Sequence, residues 1–239
     1  MEIAPGVYSI GLSPGRTRYI SGHVHAFLLD DGNGLTLIDT QAEADASTIL
    51  AELARLNRAP TDIKHILLTH SHRSHVMGLA MLKRLSGATI YAHEWEADII
   101  AGERVAQPVT LLRVEPIKIY PQRLGLAFGA KHPPCPVDRP LRDGDTVGPV
   151  QVMYTPGHTP GAMAFYWPER RTLFSGDNVA TWPRFGAGWP GFQLNERQFR
   201  ASLRRMAELD FDLIALGHGK PITADGSRRL RSLVRSLDR

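Results

Sequence analysis

Apolar residues in this chain fall into short runs that end in polar residues, with stretches of helical spacing between them. "VHAFLLDDGNGLTLIDT" (24–40) reads as two strands around a glycine-rich turn. In "EADASTILAELARLN", Ile49, Leu50, Leu53 and Leu56 share one helical face. "IKHILL" is a short buried strand. Val76, Leu79, Leu82 and Leu85 then mark one helix that stops at Gly87. "ATIYAH" is a further strand and "EWEADIIAG" a short helix. From Gln107 to Asp143 seven prolines interrupt any period, which predicts a loop or lid. A second run follows: "TVGPVQVMY", "AMAFYW" and "RTLFSGD" as strands, then a helix capped by Asn195 that faces Phe199, Leu203, Met206 and Leu209 inward. "FDLIALGHG" is the last strand. A terminal helix carries Leu230, Leu233, Val234 and Leu237 on one side and arginines on the other. Two runs of similar type predict two similar halves packed as one domain over residues 1–239.

The strand ends share a chemistry. "HILLTHSH" ends in His70 and His72, with His75 just beyond; "VMYTPGH" ends in His158, "TLFSGD" in Asp177, "LIALGHG" in His218 and "LTLIDT" in Asp39. Imidazole and carboxylate donors suit zinc, and also iron or manganese. A metal that keeps an open position lowers the pKa of bound water from about 15.7 to roughly 7. His65, His93 and His132 read as ordinary packing or surface residues, while His23 and His25 are candidates for a pocket mouth.

Taken in order, "THSHRSH", "GHTPG", "SGD" and "LGHG" resemble the metallo-β-lactamase superfamily, in the branch of glyoxalase II-like thioesterases and lactonases. The resemblance spans nearly the whole chain. It implies a four-layer αβ/βα sandwich, an α/β fold with metals at one edge. It implies that His70, His72 and His158 hold a first metal, zinc with iron or manganese as the alternative, that His75 and His218 hold a second, and that Asp177 lies between them. Asp39 matches an acid that orients ligands from behind.

One position departs from the family pattern HxHxDH: Ser74 stands where an aspartate ligates the second metal. A neutral hydroxyl is a poor ligand for a divalent ion, so the second metal binds weakly or not at all. Serine caps helices about as well as aspartate, which makes Ser74 a candidate N-cap. The function implied is hydrolysis of an ester-like or amide-like bond (thioester, lactone or β-lactam) through metal-bound hydroxide. Asp177, His75, His218 and Ser74 are the candidate catalytic positions. Two alternatives stand beside it. His70, His158 and Asp177 alone form the two-histidine, one-carboxylate set of iron oxygenases, as in the sulfur dioxygenases of the same superfamily. A binding protein that has lost catalysis is the other.

"NVATWPRFGAGWPGF" follows Asp177 directly, so Trp182, Arg184, Phe185 and Trp189 are candidates to wall an apolar substrate pocket, with Phe192. The partner expected is a small molecule. The net charge of +4 comes largely from the terminal helix, and a basic face alone does not make a nucleic-acid site. No apolar run reaches the roughly 18–20 residues of a membrane span. A single cysteine, Cys135, excludes an intrachain disulfide, and "MEIAPGVYSIGL" has no signal-peptide pattern; both point to a cytoplasmic protein.

Overall fold

The computed structural model describes residues 1–12, 24–106, 131–182, 184–188 and 193–238. The chain starts with a hairpin, β1 (Glu2–Ala4) and β2 (Val7–Leu12). The hydrophobic pattern does not mark it, because β1 is three residues long and β2 places Ser9 and Gly11 among its apolar positions. β3 (Val24–Asp30) and β4 (Leu35–Ile38) follow across the expected turn, where Gly32 and Gly34 take φ of +87° and +130°. After α1 (Ser47–Arg55) comes β5 (Ile63–Leu67).

The single helix expected from Val76 to Leu85 is instead two, α2 (Arg73–Val76) and α3 (Leu79–Ser86). The break has a packing cause. The Met77 N–H donates to Gln41 O at 3.1 Å, and Gly78 sits so close to the 40–43 backbone that a Cβ would lie 2.7 Å from Thr40 O. Leu85, expected on the buried face, is 37% exposed.

β6 (Thr89–His93) and α4 (Glu94–Ile100) match expectation. Residues 107–130 of the expected loop lie outside the described residues. Its end is not irregular: β7 (Arg139–Leu141) pairs in parallel with β6. Pro140 is accommodated because β7 is the edge strand.

The second half contains β8 (Thr146–Val147), β9 (Val150–Tyr154), β10 (Met163–Trp167), β11 (Thr172–Gly176), the short pair β12 (Val179–Ala180) and β13 (Gly186–Ala187), α5 (Glu196–Ala207), β14 (Leu213–Leu216) and α6 (Gly226–Leu237). Asn195 caps α5 as expected, its side chain accepting from Gln198 N at 3.1 Å.

Seven strands in the order β1 to β7 make one sheet, and β14-β11-β10-β9-β8 make the other. Pleating sends alternate residues to opposite faces. In β3, Phe27 and Leu29 enter the layer between the sheets, while Ala26 and Leu28 face α1 and α3. Opposite them, Phe165, Trp167 and Phe174 close the central layer, and Leu173 and Ile214 face α5 and α6. The result is helix, sheet, sheet, helix. Trp167 is buried and donates its indole N–H to Glu169 at 2.7 Å. The arginines of α6 are partly used at home: Arg228 pairs with Asp225, and Arg231 donates to the carbonyls of Ala207 and Leu209. Among the described residues no helix is long and apolar enough to cross a membrane.

Phe27 and Phe174 meet edge-on across the sheets at 5.5 Å between ring centroids. Phe174→Ala is expected to cost about 3–5 kcal/mol, read as a lower urea midpoint at unchanged slope.

Candidate metal centre

Five strands end at one edge of the sandwich. β4 runs into Asp39, β5 through Thr69 into His70, β9 through a short loop into His158, β11 into Asp177 and β14 into His218. Asp177 and His218 are neighbours because β11 and β14 pair in parallel. The two sheets are tied together here by a bridge between Val24 and His218, and by His25 N–H donating to Gly217 O at 3.0 Å.

Asp39, buried and in the left-handed region at φ 60°, organises the first sheet's contribution. Its Oδ1 accepts from Thr69 N at 2.8 Å, and its Oδ2 accepts from the Thr69 hydroxyl at 2.8 Å. Oδ2 also lies 2.8 Å from His75 Nδ1. A carboxylate only accepts, so His75 Nδ1 carries a proton, and Nε2 is the nitrogen turned to Asp177. Thr69 spends its own proton on Asp39. Its oxygen then accepts from His70 Nδ1 at 3.0 Å, which leaves the His70 Nε2 lone pair free. That atom is buried and makes no hydrogen bond.

The ring nitrogens converge on Asp177. Its Oδ2 lies 3.8 Å from His70 Nε2, 3.6 Å from His158 Nε2 and 3.3 Å from His218 Nε2; its Oδ1 lies 3.3 Å from His75 Nε2. His72 Nδ1 is 3.0 Å from His158 Nε2. One donor atom from each of His70, His72, His158 and Asp177 falls within 4.8 Å of the rest, and the same holds for His75, Asp177 and His218. Two adjacent groups thus share one carboxylate.

Burial, and then the neighbouring imidazoles, hold His70 well below the usual histidine range. Burial and His72 hold His158 down at about 3, and burial holds His72 at about 4 against the pull of Asp177. These three are neutral, which is the form that binds metal. Burial opposes ionisation of Asp177, yet His218 and His75 keep its carboxyl well below the usual carboxylate range. Burial likewise opposes charge on His75, but Asp177 and Asp39 outweigh it and raise His75 to about 10. Three neutral imidazoles beside a buried carboxylate fit a divalent cation, which at His75 would displace the Nε2 proton.

Gly217 completes the geometry by having no side chain. A Cβ there would collide with Asp177 Oδ1 and lie 2.7 Å from His75 Cε1. Neither Thr69 nor Gly217 is among the candidates read from the sequence. Thr69 carries no metal-binding chemistry of its own, and the need for a bare Gly217 appears only once β14 lies beside β11.

Ser74 is half-buried in α2, immediately before His75. It is not the helix cap: the N-cap position belongs to His72, because the chain is already helical at Arg73. His25 is buried, with Nδ1 2.8 Å from the Ser9 hydroxyl and its ring stacked on Phe27. It lines a groove of about 1070 Å³ with Ser9, Gly11, Lys220 and Pro221. Trp182 is half-buried with its backbone beside Gly219, one residue past His218. Arg184 is exposed, and Phe185 packs onto the core under α5 and α6. Trp189, Phe192 and His23 lie outside the described residues.

The chain belongs to the metallo-β-lactamase superfamily, whose family model matches residues 20–218. It is 32% identical over 196 residues to a hydroxyacylglutathione hydrolase of Cereibacter sphaeroides, covering 81% of this chain and 62% of that protein. It is 27% identical over 217 residues to the thioesterase pkgB of Emericella nidulans, covering 89% of this chain and 50% of that one. The chain thus spans less than two thirds of the length of these curated relatives. Among solved structures it resembles TTHA1623 in a di-iron-bound form, at 27% identity and a TM-score of 0.64, over 90% of this chain and 93% of that one.

Gly217→Ala is expected to push Asp177 and His75 apart and to lower the metal content of purified protein, measured by elemental analysis, with far-UV circular dichroism unchanged.

Proposed function

We propose that the chain is a metal-dependent hydrolase of ester-like or amide-like bonds, with thioesters as the leading substrate class, ahead of lactones and β-lactams. One observation carries the proposal: Asp177, 3.3–3.8 Å from Nε2 of His70, His158, His75 and His218, belongs to two adjacent groups of donor atoms, one with His70, His72 and His158 and one with His75 and His218. In this reading His70, His72, His158 and Asp177 hold the first cation, and His75 and His218 hold a second against Asp177. Zinc suits these donors. The relatives' names, a hydroxyacylglutathione hydrolase and a thioesterase, support the substrate class.

A bound divalent cation supplies Lewis acidity and makes water acidic enough to attack at neutral pH. The chain's own residues do the rest. Asp39 fixes the Nδ1 proton of His75 and, through Thr69, that of His70, so both rings present Nε2. Asp177 supplies negative charge between the two sets. Where the second cation is weak because Ser74 replaces a carboxylate, His75 Nε2 and His218 carry protons for the attacking water and the leaving group. Small acyl substrates are the partners this site takes.

The wild type is expected to retain one tightly held zinc after gentle purification, and Ser74→Asp to hold two. Asp177→Ala is expected to lose metal and turnover together on a panel of thioesters, lactones and a β-lactam. Full activity in Asp177→Ala overturns the proposal.

A second reading is favoured by the completeness of the first group without the residue at Ser74, and by the di-iron form of the similar TTHA1623. It is an iron-dependent oxygenase. One iron per chain in both wild type and Ser74→Asp, with oxygen uptake on a thiol substrate, selects it over the hydrolase. Absence of metal and of turnover in every variant selects a binding protein.

A further inference from the structure

α4 carries a buried carboxylate that the proposed reaction does not use. Glu96 is 1% exposed. Its Oε2 accepts from Ser71 N at 3.0 Å, and its Oε1 accepts from Gly161 N at 2.9 Å. Ser71 lies between His70 and His72, and Gly161 lies three residues past His158. One side chain therefore joins the two loops that bear the three histidines of the first group.

The ordinary role of such a glutamate is local. As the third residue after the N-cap His93, it is placed to reach back and close a capping box. It does not; both oxygens are spent on N–H groups of other loops. Nor is it half of an ion pair. Among the described residues no lysine or arginine pairs with Glu96, and Arg104 on the same side is held by Asp98 at 2.6 and 2.8 Å. A buried anion without a cationic partner is costly unless positive charge lies near. The cleft beside it, which also touches His72 and Thr159, has about 10 Å³, room for about one water. Gly161 is shaped for this contact, since a Cβ there would lie 2.7 Å from Glu96 Cγ and 2.9 Å from Oε1.

The same two loops are also joined by Met163 N donating to Thr69 O at 2.8 Å. Thr69 and Ser71 flank His70, and Gly161 and Met163 both follow His158. We infer that Glu96 is a positioning residue for the first cation: it sets the distance between the His70–His72 loop and the His158 loop, and its charge favours a cation there. This rests on the proposed metal site.

The test uses metal-free full-length protein titrated with cobalt(II) against a chromogenic chelator, following the visible cobalt spectrum, with thermal melting of each metal-free variant. Glu96→Gln keeps the shape but loses the charge and one acceptor. It is expected to weaken the tightest cobalt site by about 10- to 100-fold and to shift its absorption bands. Gly161→Ala, which leaves the charge and displaces the carboxylate, is expected to shift the bands in the same way and serves if Glu96→Gln does not fold. Glu94→Gln, exposed on the same helix, is expected to match wild type. Wild-type cobalt affinity and spectrum in Glu96→Gln or, if that variant does not fold, in Gly161→Ala overturn the inference, whatever the melting temperatures; this leaves the metal site standing. A wild type that binds no cobalt overturns the proposed site itself and this inference with it.

Discussion

The parallel pairing of β11 with β14 is the contact on which the site depends. It brings Asp177 and His218 out of adjacent strands in the same direction, and it sets Gly217 against the carboxylate. The first sheet arrives at the same place through β4 and β5, also parallel neighbours. In each sheet a parallel pair points its carboxyl ends at the shared edge. The donor atoms are thus held by strands fixed on both faces, and only the short segments after them need adapt.

Within the first sheet, Asp39 links three elements with three hydrogen bonds, to the Thr69 backbone, the Thr69 hydroxyl and the His75 ring. Its left-handed backbone is strained for a residue other than glycine. Burial and three donors compensate. The cost is local and the return is a fixed proton position on two rings.

Much of this was legible in the sequence, because the candidate ligands are chemically loud and fall at the ends of apolar runs. The order of strands and helices in both halves followed from period two and period 3.6 patterns. What stayed hidden has physical reasons. The β1–β2 hairpin is short and interrupted by Ser9 and Gly11. The split between α2 and α3 comes from Gln41 and Thr40, more than thirty residues earlier in the chain. Ser74 looked like a cap because its type is right, but the helix begins before it. Thr69, Glu96 and Gly217 act through what surrounds them, and surroundings are not written in local sequence. Phe185 reads as a pocket wall from its nearness to Asp177 in sequence; it is half-buried and rests one side against the α5–α6 core.

The division of donors between two sheets also sets an order of events during synthesis. His70, His72 and His75 emerge together and early, while His158, Asp177 and His218 come from the second half. Until that half has folded, the early three are a loose chelate on an incomplete sheet, without the anion that holds a cation among them. Once the sheets have docked, any ion that is bound clamps the late half to the early one. Each increment in free metal then adds to the stability of the folded chain by mass action, about 2.7 kcal/mol at a hundredfold excess over Kd. A cation held by these donors would thereby make the stability of the folded chain depend on its concentration, independently of any reaction at the site.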